Sequence, residues 1–124
     1  MPADRNTDVD RVRQQFACPL DVVQRNLAEF DHVKFYPGWV PERFQEVESI
    51  TFSFVHIDVD LYQPTLDSFR FFYPRLVKNG IMVFDDYGGQ FFPGAPKAIR
   101  EGLQQLDNYL FVPLPSGQAF LIKG

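Results

Sequence analysis

Two strand-like runs that each end in a pair of aspartates constrain this chain more than any other feature of its sequence. Residues 50–58, ITFSFVHID, are β-branched and aromatic with little polar alternation, which is typical of a strand covered on both faces. Residues 79–89, NGIMVFDDYGG, begin with an Asn-Gly turn and predict a second buried strand. Residues 64–76, PTLDSFRFFYPRL, lie between them and predict a helix, with Pro64 in its first turn and Pro74 near its end.

The flanking segments continue this alternation of helix and strand. Residues 19–30 carry apolar side chains at helical spacing, residues 32–39 predict a short strand, and residues 96–106 predict a helix. Residues 108–124 predict two strands joined through Pro115, Ser116 and Gly117. We therefore expect an α/β sheet, and 124 residues with 14 phenylalanines are enough for one domain with a real core.

Composition excludes several classes of partner. The net charge of -4 is spread along the chain without a cluster of Lys and Arg, so we expect no nucleic-acid partner. No apolar run approaches the roughly 20 residues that span a bilayer, and the polar N-terminus resembles neither a signal peptide nor a transit peptide. The single cysteine, Cys18, fits a reducing compartment. We therefore expect a cytoplasmic protein without a membrane partner.

The position of the aspartates at the strand ends indicates a binding site. If the two strands are parallel neighbours, Asp58, Asp85 and Asp86 converge at one edge of the sheet, where α/β folds bind their ligands. Neighbouring strands are about 4.8 Å apart, so these carboxylates would repel one another unless a cation lay between them. Mg²⁺ is the natural candidate, because all the donors are hard oxygens. A single aspartate such as Asp60 could instead cap the following helix, but two pairs favour a site.

The stretch FVHIDVDLYQPTLDSFRFFYPRLVKNGIMVFDDYGG resembles the macrocin O-methyltransferase family, metal-dependent S-adenosylmethionine enzymes that methylate sugar hydroxyls. The similarity extends through VVQRNLAEFDHVKFYPGWVPERF upstream and PGAPKAIREGL downstream. It implies that Asp58, Asp85 and Asp86 are Mg²⁺ ligands and that Asp60 is the general base. His56, two residues before Asp58, ranks second as base.

The chain also departs from this family. Such enzymes hold S-adenosylmethionine on a glycine-rich turn after their first strand, whereas nothing before residue 19 is strand-like here. The resemblance leaves Gly38 and Trp39, in the segment YPGW, as the only candidate cofactor contacts. We therefore expect a partial Rossmann-like class I methyltransferase sheet, mostly parallel with a C-terminal antiparallel hairpin and lacking the first strands. Residues 1–18 would form a polar N-terminal arm or lid remnant, and residues 19–124 a partial methyltransferase domain.

Three functions follow as hypotheses. The first is an Mg²⁺-dependent O-methyltransferase acting on a hydroxyl of a sugar or natural product, truncated and inactive or cofactor-deficient as this chain. The second is a non-catalytic oligomeric remnant or binding module with a metal-binding aspartate cluster. The third is a phosphotransferase of the haloacid-dehalogenase type, for which too few residues separate Asp58 from Asp85. Without the first strands, the strand before Asp58 would have an open edge, which predicts a homodimer or a higher homo-oligomer.

Overall fold

The two runs that end in aspartates form adjacent parallel strands in the computed structural model, which describes residues 9–10, 18–89 and 92–124. Strand β1 (Phe52–Ile57) pairs with strand β2 (Leu76–Phe84). Helix α2 (Tyr62–Phe72) connects them and is followed by a 3₁₀ turn at Tyr73–Arg75. Pro64 lies in the first turn of α2, as predicted, but the helix ends at Phe72 and Leu76 already belongs to β2, so the prediction of a helix through residue 76 is wrong at its C-terminal end.

The remaining elements complete a four-stranded sheet with the order β1-β2-β4-β3. Helix α3 (Gly94–Leu103) follows β2, and strands β3 (Tyr109–Pro113) and β4 (Ala119–Lys123) form the predicted antiparallel hairpin. Strand β4 also pairs antiparallel with β2. The α/β class is confirmed. The described sheet is mixed rather than mostly parallel, because β1 pairs with β2 in parallel whereas β4 pairs antiparallel with both β2 and β3.

One face of this sheet carries the hydrophobic core. Because side chains alternate along a strand, Val55 and Ile57 of β1 lie on the same face as Met82 and Phe84 of β2. Helices α2 and α3 cover this face, and the core unites the residues Val55, Ile57, Phe69, Leu76, Met82, Phe84, Ile99 and Leu121.

The other face of the sheet is open in the described part of the chain, so the prediction that β1 is covered on both faces is wrong. Phe54 of β1 is 57% exposed, its pairing partner Ile81 on β2 is also exposed, and so is Leu110 on the far edge strand β3. The open face of β1 could not be predicted from its composition. Apolar and β-branched residues indicate that a strand prefers to be buried, but they do not show which elements cover it.

The N-terminal region differs most from expectation. Helix α1 (Leu20–Asn26) is shorter than the predicted residues 19–30 and has no buried residue. The strand predicted at residues 32–39 is wrong, since residues 33–37 have no regular secondary structure. Most of the predicted arm, residues 1–18, lies outside the described residues. Among the described residues, no helix combines the length and apolar character needed to cross a membrane.

Candidate metal centre

The backbone brings the two aspartate pairs to one edge of the sheet. Asp58 follows the last residue of β1, and Asp85 and Asp86 follow the last residue of β2. The N–H of Asp85 donates a hydrogen bond of 3.0 Å to the carbonyl of Ile57, which extends the parallel ladder to the base of the site. The convergence expected from parallel strands is therefore present.

Asp60 occupies an unusual backbone conformation beside this edge. Its φ angle is +62°, in the left-handed region that aspartate tolerates better than most residues. The N–H of Leu61 donates to the carbonyl of Val59 over 2.6 Å, so Asp60 is the central residue of a tight three-residue turn. Such strain is found preferentially at functional sites. The turn directs the chain from β1 into α2 and places Asp60 next to the other aspartates.

Three carboxylates form a cluster, which we call the acidic centre. One oxygen each from Asp58, Asp60 and Asp86 lies within 4.8 Å of the others. Burial, followed by a hydrogen bond and the negative charge of Asp60, raises the pKa of Asp86 to about 7. Burial and the charges of Asp85 and Asp60 also raise the pKa of Asp58. The acidic centre therefore holds more negative charge than its surroundings stabilise.

Asp85 adjoins the acidic centre but has contacts of its own. Its Oδ1 accepts a hydrogen bond of 2.8 Å from Nε2 of Gln118, the residue directly before strand β4. Nε2 of His56 lies 3.6 Å from the same oxygen. The structure thus brings Asp58, Asp60, Asp85, Asp86 and His56 together, and it adds Gln118, which sequence reasoning missed. Because β4 runs antiparallel to β2, its first residues return to the edge where β2 ends.

The two predicted cofactor residues lie elsewhere. Gly38 lines a cavity of about 280 Å³ together with Phe52 and Phe72, at the start of β1 and the end of α2. Trp39 is adjacent and 61% exposed. With a rise of about 3.3 Å per residue, the start of β1 is roughly 20 Å from Asp58. The structure does not bring Gly38 and Trp39 together with the carboxylates.

The acidic centre has the donor set and the spacing for a hard divalent cation. Mg²⁺ binds oxygens at about 2.0–2.1 Å and Ca²⁺ at about 2.3–2.6 Å, so oxygens within 4.8 Å of one another can share one ion after small rotations. Burial is the largest cause of the raised pKa of Asp86 and the neighbouring carboxylates add to it; a cation would offset this second cause. By contrast, the two residues predicted to contact S-adenosylmethionine, Gly38 and Trp39, do not adjoin the acidic centre, since Gly38 lines the cavity at the start of β1.

Comparison with known proteins gives a consistent family. Residues 1–108 match the family described as macrocin-O-methyltransferase (TylF). Two curated relatives are each 30% identical over 88 residues, a tetracenomycin-C rhamnosyl 4'-O-methyltransferase of Streptomyces olivaceus and demethyldecarbamoylnovobiocin O-methyltransferase of Streptomyces niveus. Each alignment covers 68% of this chain and 34% of the relative. The aligned region is therefore about a third of the length of these relatives.

Solved structures have the same fold. The O-methyltransferase NovP superposes with a TM-score of 0.73 and 23% identity, covering 98% of this chain and 51% of NovP. The calicheamicin methyltransferase CalS11 superposes with a TM-score of 0.65 and 25% identity, covering 100% of this chain and 56% of CalS11. The described α/β sheet is thus similar to about half of each methyltransferase chain.

Proposed function

The chain belongs to the TylF macrocin-O-methyltransferase family, and we propose that it forms the metal-binding part of an O-methyltransferase acting on a hydroxyl of a sugar or natural product. The observation that carries this proposal is the acidic centre at the carboxyl edge of two parallel strands. The curated relatives support the class of acceptor, because their names describe O-methylation of a rhamnosyl-tetracenomycin or of demethyldecarbamoylnovobiocin.

In this proposal Asp58, Asp85 and Asp86 would hold Mg²⁺ or another divalent cation, as the family resemblance implies. A bound cation would lower the pKa of a coordinated hydroxyl. The structural support is that all three carboxylates follow β1 and β2 at one edge. Asp60 lies close enough to Asp58 and Asp86 to take part in ligation or to act from beside the ligands.

Proton removal is assigned to Asp60. A general base must lie within hydrogen-bond reach of the hydroxyl that it deprotonates, and the cluster places the Asp60 carboxylate beside two predicted ligands. His56 remains the second candidate. Its Nε2 lies 3.6 Å from Oδ1 of Asp85, and its side chain is 43% exposed.

Calorimetric titration with Mn²⁺ and Mg²⁺ tests the metal site. We expect modest affinity in the native chain, because few carboxylates hold the ion and water fills its other positions. Asp58→Asn and Asp86→Asn should each weaken binding at least about 10-fold. Asp31→Asn removes a fully exposed carboxylate and is the matched control for lost charge. Equal affinity in all four proteins would refute the metal site.

Transfer of a methyl group by this chain alone is not part of the proposal. S-adenosylmethionine is the cofactor that the family implies, and Gly38 and Trp39 stay predictions as its contacts. Because those residues are remote from the acidic centre, we expect neither turnover nor micromolar cofactor binding by the isolated chain. A binding titration with S-adenosylmethionine tests this expectation, because a complete enzyme would bind the cofactor. Metal binding without cofactor binding would favour the alternative of a non-catalytic metal-binding module.

We also propose that the chain self-associates through β1. This strand lies at an edge of the described sheet, and Phe54 on its open face is 57% exposed. An unpaired apolar edge recruits another strand, so a two-fold dimer is expected. Light scattering should show that Phe54→Lys is monomeric, whereas Leu110→Lys, on the opposite edge strand, stays dimeric. A native monomer at high micromolar concentration, with the β1 amides protected from exchange, would contradict this.

A cytoplasmic location remains part of the proposal. The sole cysteine, Cys18, is a free thiol, which suits a reducing compartment.

A further inference from the structure

We propose that Gln118 is a positioning residue for the acidic centre, which it serves by fixing the orientation of the Asp85 carboxylate; this inference rests on the proposed function. Gln118 lies 33 positions from Asp85 in sequence, and its Nε2 donates to Asp85 Oδ1 over 2.8 Å. The N–H of Asp85 donates over 3.0 Å to the carbonyl of Ile57, the residue before Asp58, so Asp85 lies beside the acidic centre. The Asp85 carboxylate therefore lies next to the acidic centre, and its Oδ1 accepts the hydrogen bond from Gln118.

Hydrogen bonds within the hairpin loop hold the side-chain amide of Gln118 in place. The N–H of Leu114 donates 2.8 Å to the carbonyl of Gln118, and the hydroxyl of Ser116 donates 3.4 Å to its Oε1. With its amide oxygen engaged by Ser116, Gln118 presents its amide N–H groups to Asp85. The oxygen and the nitrogen of the Gln118 side-chain amide therefore both form hydrogen bonds.

The same loop also fixes the backbone after Asp85. The carbonyl of Gly117 accepts hydrogen bonds from the N–H groups of Tyr87 and Gly88, at 3.0 and 2.8 Å. A Cβ added to Gly88 would lie 3.2 Å from the Cα of Gly117, and Gly117 itself has a φ of +94°. The two glycines allow the loop and the Asp85–Gly88 turn to approach this closely. The hairpin loop therefore contacts both the side chain of Asp85, through Gln118, and the backbone of Tyr87 and Gly88, through Gly117.

The chemistry of the contact suits a cation site. A lysine or arginine at position 118 would bring a positive charge that competes with the ion for Asp85. A neutral amide orients the carboxylate and leaves its negative charge in place. Residues that hydrogen-bond to a metal ligand, rather than to the metal itself, typically contribute 10–100-fold to metal affinity.

A double-mutant cycle with Mn²⁺ titration tests the proposal. Gln118→Leu should weaken Mn²⁺ binding about 10-fold, whereas Gln104→Leu, an exposed glutamine at the end of α3, should leave the affinity unchanged. In an Asp85→Ala background, Gln118→Leu should change the affinity less than about 2-fold, because its target is gone. If Gln118→Leu does not fold, Gln118→Ser takes its place, with a side chain too short to reach Asp85.

A second measurement does not depend on metal. In the ¹⁵N spectrum of the metal-free chain, the side-chain amide signals of Gln118 should shift in Asp85→Ala and stay in place in Asp31→Ala. Unchanged Mn²⁺ affinity in Gln118→Leu, or an equal loss with and without Asp85, would overturn this proposal and leave the metal site standing. Failure of the native chain to bind Mn²⁺ would overturn both.

Discussion

Replacing Asp86 with asparagine should stabilise the metal-free protein at neutral pH, even though Asp86 is a predicted metal ligand. Burial and the neighbouring Asp60 raise the pKa of Asp86 to about 7, from an ordinary value of 3.8. The folded chain therefore binds a proton that the unfolded chain has already released between these two values. Asparagine keeps the shape of the protonated acid and has no charge to release.

The sign and size of the effect follow from proton linkage. Because the folded state binds more protons within this window, the free energy of unfolding of the native protein falls as pH rises from about 4 to about 7. The full difference of about three pKa units would correspond to about 4 kcal/mol. Asp86 is only partly buried, so water screens the repulsion, and we expect about 1–2 kcal/mol.

Urea unfolding in the presence of a chelator, at several values between about pH 4 and about pH 8, measures this effect. The Asp86→Asn variant should match the native chain near pH 4 and exceed its stability near pH 8. Asp31→Asn, which removes an exposed carboxylate, should follow the native chain throughout. Saturating Mn²⁺ should reverse the order, since it stabilises the protein that binds it. A variant less stable than the native protein at pH 8, or a difference independent of pH, would refute the reasoning.

Three further changes test the packing by urea unfolding. Phe69→Ala removes a ring that is 2% exposed and should lower the free energy of unfolding by about 3–5 kcal/mol. Gly102→Ala would place a Cβ 2.8 Å from the Phe69 ring and should cost about 1–3 kcal/mol; native stability would show that the ring moves freely. Lys123→Met removes hydrogen bonds to the carbonyls of Tyr73 and Leu76 and should cost about 1–2 kcal/mol, whereas no loss would mean that water replaces the ammonium.

The carboxyl edge of the sheet was predictable because it depends on local patterns and a general topological rule. The runs before Asp58 and Asp85 have strand composition, and a helix of the right length separates them. Parallel strands joined in this way place both C-terminal ends together. The convergence of aspartates needed no knowledge of distant contacts.

The contact between Gln118 and Asp85 was not predictable in the same way. It requires that β4 pair with β2 as well as with β3, and no local signal in the hairpin specifies that second pairing. Once the order of the strands is known, the position of Gln118 follows from the antiparallel direction of β4.

The Asn-Gly pair illustrates a different limit. It predicts a turn before the second strand, yet Asn79, with a φ of +66°, lies inside β2. The register changes there, since Phe52 pairs with Leu76 whereas Phe54 pairs with Ile81. A residue with positive φ suits an irregularity within a strand as well as a turn, and only the pairing partner distinguishes the two.

The strand order also governs when this sheet can assemble during synthesis. In the described sheet β3 pairs only with β4, and β4 separates it from β2. Until Ala119–Lys123 has emerged from the ribosome, the backbone edge of β2 that pairs with β4 therefore has no partner within the described sheet. This edge, residues Ile81 to Phe84, is available to chaperones or to other nascent chains until then.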